Sequence, residues 1–152
     1  MATYRSTGVI AHTGRINQGV GFVFGAVFVL VGLTGFVVSG GHHAVGPEGG
    51  ELFGVFQVNV LHNVVHLVVG AVMVAAAIMG ERTARNANAT FGVVYLVLSA
   101  LGLAIVDTPA NVIALNGADN ALHLVLGLAL TVVGFGFGAR MLARRDAARP
   151  FR

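Results

Sequence analysis

A chain of 152 residues is about one domain long, and this one is 56% apolar, 10% charged and free of cysteine and tryptophan. So little charge cannot clothe a water-soluble surface, which makes lipid the expected solvent, and the lack of cysteine excludes disulfides, thiolate metal sites and a thiol nucleophile. The nine basic residues, all arginine, give a net charge of +3, but they are divided among separate segments rather than gathered on one face, so no nucleic acid partner is expected.

In chain order, four apolar runs are long enough to cross a hydrocarbon core of about 30 Å at roughly 1.5 Å per helical residue. The first, residues 19–39, reads GVGFVFGAVFVLVGLTGFVVS. Arg5 and Arg15 precede it as in a secretion signal, but its apolar core is too long and no A-x-A site follows, so a mature helix is expected. Residues 57–79 form the second span and residues 89–106 the third, which Pro109 keeps from continuing. The fourth covers residues 119–140, with Asn116 and Asp119 in its cap region. The stretches ELFGVFQV and PANVIAL, ahead of spans two and four, are expected to be short interfacial turns. Thr34, Ser99 and Thr131 are expected to satisfy their hydroxyls on backbone carbonyls. Glycines at positions 21 and 25, 32 and 35, and 134 and 138 have the spacing of closely packed membrane helices. Packing within the chain is the leading reading and contact with a second copy the alternative. The expected fold is an all-α integral membrane protein, a single four-helix domain with tails at residues 1–17 and 141–152.

The arginines orient it. Arg5 and Arg15 precede span one, Arg82 and Arg85 separate spans two and three, and Arg140, Arg144, Arg145, Arg149 and Arg152 follow span four. All nine therefore share one side with Glu81 and Asp146, while the other side carries Glu48, Glu51, Asp107 and Asp119 and no arginine. The positive-inside rule then makes both termini cytoplasmic.

Spans two and four repeat each other. Asn59 falls on Asn116, His62 on Asp119, Asn63 on Asn120, His66 on His123, Leu67 on Leu124 and Gly70 on Gly127, at a constant offset of 57. Spans one and three match more weakly at an offset of 67, with Phe24 and Gly25 on Phe91 and Gly92, Phe28 on Tyr95 and Gly35 on Gly102. Each half then reads as a helical hairpin, and the halves as parallel repeats about a pseudo-two-fold along the membrane normal.

Positions 59, 62, 63, 66 and 70 advance by three or four, as do 116, 119, 120, 123 and 127, so each set forms one helical face. If the two faces meet, His62, His66, Asp119 and His123 would supply three imidazoles and a carboxylate, a full tetrahedral set for zinc and an acceptable one for iron or manganese. Asn59, Asn63, Asn116 and Asn120 would orient those ligands. The metal site is the alternative, and the leading reading is a hydrogen-bond network joining the helices, each bond worth about 1 kcal/mol or less. Haem held by His66 and His123 is disfavoured, because the outer side has no arginine for its propionates. A through-going ion path is disfavoured too, since both helices continue as apolar segments, AVMVAAAIM and LALTVVGFGFG. His42 and His43 read as a solvated pair in a glycine-rich loop. No catalytic constellation is visible, and an enzyme is not the leading expectation.

The segments VGLTGF (Val31 to Phe36), LFGVFQVNVLHNVVHLVVG (Leu52 to Gly70) and LNGADNALHLVLG (Leu115 to Gly127) carry a resemblance to a known family. The chain resembles the actinobacterial four-helix membrane proteins of unknown function numbered four-three-eight-three. That resemblance implies four helices and a bacterial plasma membrane, and it supplies no activity or catalytic residue. The expected function is a structural or partner-binding role, with the bilayer, a second copy or another membrane protein as partner. The alternative is a metal-binding protein, and an outward-facing pH-sensing or transport component is a minor one.

Overall fold

The computed structural model describes the backbone of residues 4–147 and the side chains of residues 16–136. Arg5, Arg15, the arginines from Arg140 onward and Gly138 lie outside those described side chains.

Four helices run in sequence, α1 (Tyr4–Ser39), α2 (Val60–Ile78), α3 (Glu81–Ile105) and α4 (Gly117–Ala147), with a small hairpin of β1 (Gly50–Leu52) and β2 (Phe56–Val58) between the first two. Each helix carries a stretch long and apolar enough to cross a membrane, namely Ile16–Ser39, Val60–Ile78, Glu81–Ile105 and Gly117–Gly136. A helix satisfies its own backbone, which is what hydrocarbon demands. The fold is all-helical in its spans and compatible with a multi-pass membrane protein.

Number and order of the helices follow the hydropathy, but the ends move for local reasons. Residues 56–58, placed by hydropathy at or just ahead of the second span, pair as β2, and α2 starts only after Asn59. Helix α3 starts at Glu81, well before its apolar part. Gly80, at φ +116°, makes the sharp break from α2 that other residues resist, and Glu81 then sits where the helix dipole favours a negative charge. Hydropathy registers only the greasy part of such a helix.

The two stretches expected as interfacial turns find backbone partners instead. ELFGVFQV folds into the antiparallel hairpin, pairing Glu51 with Gln57 and Leu52 with Phe56 around a turn with Phe53 and Gly54 at positive φ. PANVIAL is irregular and docks on the first outer loop, where Gly46 N–H donates to Val112 O at 3.0 Å and Ala114 N–H to Gly46 O at 3.1 Å. The α1–α2 and α3–α4 loops are thereby laced to each other.

Helix α1 packs mainly on α2 and α3 mainly on α4, α1 and α3 share a smaller contact, and α1 and α4 touch only sparingly. Glycines set the close pairs. A Cβ on Gly25 would stand 2.8 Å from Gly70 O, and one on Gly70 would stand 2.6 Å from Gly25 O. In the other pair a Cβ on Gly127 would stand 2.8 Å from Leu96 N, and one on Gly134 would meet the backbone of Ala89. Gly32 and Gly35 face Asn63 and Leu67, and Gly21 faces Asn88, so these glycines are used within the chain. Phe28, Met73, Tyr95 and Leu130, one from each helix, form the buried apolar centre. Thr34 bonds to Leu30 O and Val31 O in its own helix, whereas Ser99 reaches across to Asn120 O at 2.9 Å. Thr131, pressed against Gly92, has no hydroxyl partner among the described residues, contrary to expectation.

The glycine contacts make a direct prediction. Gly25→Leu should destabilise the protein by about 2 kcal/mol or more, because the displaced atoms are backbone and cannot move aside. Gly19→Ala, on the same helix with nothing within 4 Å of its added methyl, should leave stability unchanged or slightly raised. Thermal unfolding in detergent micelles, followed by circular dichroism, would separate the two.

Candidate metal centre

The site is built from the first turns of α2 and α4. Asn59 caps α2, its Oδ1 accepting from His62 N–H at 2.9 Å. Its amide donates to Gly46 O at 3.0 Å and to Val112 O at 2.9 Å, so one side chain ties the start of α2 to both outer loops. Asn116 plays the same part for α4, with Oδ1 accepting from Asp119 N–H at 2.9 Å and Nδ2 donating to Val55 O at 2.8 Å. Asp119 returns the bond, its Oδ2 accepting from Asn116 N–H at 2.9 Å in a reciprocal capping box. The same oxygen accepts from Gln57 N–H at 3.1 Å, at the hairpin.

With these turns pinned, the histidines have little freedom. His62, His66 and His123 are buried, and their ligating atoms, one per ring, all lie within 4.8 Å of one another. The ring centroids of His62 and His66 are 4.5 Å apart and those of His62 and His123 6.0 Å. Aromatic rings hold the outer edges, with Phe28 stacked on His66 at 5.9 Å and 4°, and Tyr95 5.0 Å from His123. Helices α2 and α4 meet here through long side chains rather than through close backbone packing.

The predicted polar cluster therefore divides in two. Asn59, Asn116 and Asp119 are consumed by capping and loop lacing. Asn63 donates to Ser39 Oγ at 3.0 Å, while its Oδ1 and both amide atoms of Asn120 have no partner among the described residues. The histidines are the other part: Nδ1 of each of the three is buried without a partner. Asp119 does not belong to the convergent group, although it is buried nearby. His42 and His43 lie exposed in the first outer loop, apart from it.

Chemically, three neutral imidazoles fit zinc or iron, and a tetrahedral ion with bonds of about 2.0–2.1 Å holds its nitrogens roughly 3.3 Å apart. A spread of up to 4.8 Å is closed by small ring rotations. Three protein ligands also leave a fourth position open, the pattern of reactive rather than purely structural sites.

A model of the family described as Domain of unknown function (DUF4383) matches residues 18–136. The chain belongs to that family. Comparison with curated proteins and with solved structures finds no match.

Other buried polar residues of this DUF4383 chain escaped the sequence reading. At the opposite end of the bundle Asn88 Nδ2 donates to Asn17 O at 3.0 Å and Asn17 Oδ1 at 3.1 Å, and Gln18 reaches Ala77 O at 3.0 Å. Asn111 folds the second outer loop on itself, donating to Val106 O and Leu115 O and accepting from Leu115 N–H. A signal for Asn88 was present, since positions 88, 92, 95, 99 and 102 advance by three or four and are all buried. Asn111 offered none, being one asparagine in an irregular loop.

The capping arrangement can be tested. Asn59→Ala removes a cap worth about 1 kcal/mol and leaves two part-buried carbonyls without their donor, so it should cost about 1–2 kcal/mol. Asn59→Asp keeps the acceptor for His62 N–H but loses both donors, and should recover only the smaller part of that loss. Thermal melts of the two variants beside the parent protein would check the ranking.

Proposed function

We propose that this chain is a multi-pass membrane protein that holds a transition-metal ion, zinc, iron or manganese, on His62, His66 and His123. The observation that carries the reading is the convergence of three imidazoles from two helices, each with a buried, unpartnered Nδ1. Each such orphan costs about 1–3 kcal/mol, as do the unpartnered amide atoms of Asn63 and Asn120, and a bound ion would satisfy the imidazoles because their ligating atoms converge. Asp119 contributes charge and capping rather than a bond to the ion.

Two features of the wider architecture go with this reading. The halves act as parallel repeats, supported by matched contacts at the offset of 57: Asn59 and Asn116 as caps, the Val112 and Val55 carbonyls as their acceptors, and Met73 and Leu130 in the centre. Gly35 against Asn63 and Gly102 against Asn120 repeat the same contact. The arginine distribution supports cytoplasmic termini in a bacterial plasma membrane, with the histidines toward the outer face.

A second reading is favoured by the hydrogen bonds of Asn59, Asn116 and Asp119, which would equally serve a rigid outer surface that docks a partner. Elemental analysis of protein purified without a histidine tag decides between them. The metal reading expects about one ion per chain, lost in the His66→Ala, His123→Ala double variant and kept in Asp119→Asn. Metal-free protein from metal-supplemented cells, with a large drop in melting temperature in the double variant, would establish the structural reading instead.

A further inference from the structure

Between α1, α4 and the hairpin lies a cavity of about 310 Å³. It sits at the seam between α1 and α4, which touch only sparingly. Val23 and Val27 on α1 and Leu122 on α4 line it, and all three are exposed, on helices apolar enough to span a membrane. Across a membrane-spanning bundle, that side of the cavity would face hydrocarbon, a route by which an occupant could enter from the bilayer. The polar end is formed by His66, Asp119 and His123.

Size, walls and charge narrow the occupant. The volume is about twice that of an apolar cavity that accommodates benzene, room for one substituted ring. Phe24, Phe28, Phe53 and Phe56 supply aromatic walls, which favour a ring over an acyl chain through offset and edge-to-face contacts. With no ion bound, the Asp119 carboxylate at the polar end disfavours a fatty acid or phosphate head. His66 and His123, 8% and 3% exposed, bring imidazoles to that end, and a neutral imidazole suits a neutral hydroxyl. Phe53 adds an independent sign of use. It stands 78% exposed on the rim at φ 55°, a left-handed conformation that costs a bulky residue about 1–2 kcal/mol.

We propose that this cavity binds a lipid-soluble phenol or quinol, its hydroxylated ring beside His66 and His123 and its hydrocarbon tail leaving between α1 and α4. The inference deepens the metal reading, on which it rests only for the ion whose open position the hydroxyl oxygen would take.

The test uses the full chain, purified with its metal and placed in phosphatidylcholine nanodiscs. The probe is a para-alkylphenol carrying a diazirine beside the ring, and labelled peptides are mapped by mass spectrometry. Saturable labelling of the α1 and α4 cavity residues is expected, suppressed by excess unlabelled alkylphenol and not by a fatty acid of equal chain length. Phe53→Gly should lower the apparent affinity about tenfold by removing an aromatic anchor, with a melting temperature equal to or above the parent's. Labelling spread over all lipid-facing residues without competition, equal competition by the fatty acid, or full affinity in Phe53→Gly would each overturn the proposal. Metal content is read on the same samples. Metal without saturable labelling sinks the cavity assignment alone, whereas saturable labelling of metal-free protein sinks the metal reading alone.

Discussion

Where α1 crosses α2, the carbonyl of Gly70 occupies the space that a side chain on Gly25 would need, and Gly35 lies directly against the amide of Asn63. Helices α3 and α4 meet in the same way through Gly92, Gly102, Gly127 and Gly134. In hydrocarbon there is no hydrophobic drive to hold helices together, so such backbone approach supplies the packing energy. It also sets the depth and rotation of α2 and α4, and with them the histidine positions. The centre on α2 and α4 is thus positioned by glycines that contribute no atom to it.

Beyond that packing, the loop between α1 and α2 and the loop between α3 and α4 form a hydrogen-bonded lattice. Each cap reaches past its own helix into the opposite outer loop, and the two loops pair directly at Gly46 and Ile113. A helix start left uncapped would leave its first backbone donors without partners in the protein. The asparagines solve that problem and lock the two hairpins together at once. His62 joins this lattice through its backbone N–H and through its ring, which lies against the backbone of Gln57 and Ile113, whereas the rings of His66 and His123 make no such contact among the described residues. That division separates a structural polar set from a set with coordinating capacity to spare.

Much of this was legible in the residues. Four spans followed from hydropathy, and the face shared by His62, His66 and their neighbours followed from spacing. What resisted was of two kinds. ELFGVFQV became a hairpin because Phe53 and Gly54 take positive φ, and a phenylalanine there is not a turn signal that any propensity would favour. Asp119 counted as a ligand by residue type and spacing, yet its position three residues after Asn116 made it equally the return arm of a capping box. Spacing alone does not choose between these roles, because i+3 serves both.

The exchange of His62 for Asp119 at equivalent positions has a physical logic. Both stand at the third helical position after a capping asparagine. A carboxylate there folds back onto the cap N–H and is spent, whereas an imidazole leaves the cap N–H alone and keeps its Nδ1 without a partner among the described residues. Histidine at both positions would give four imidazoles, enough to close a tetrahedral ion against any other ligand. Aspartate at both would leave two, too few to hold one firmly. One of each yields three ligands, an open position and a negative charge on the adjoining cavity wall, which offsets part of the cost of a buried cation. Under the metal reading, the break in the repeat is what converts a symmetric helix interface into a site able to take a further ligand, and the cavity lined by His66 and His123 lies on the side where that ligand would arrive.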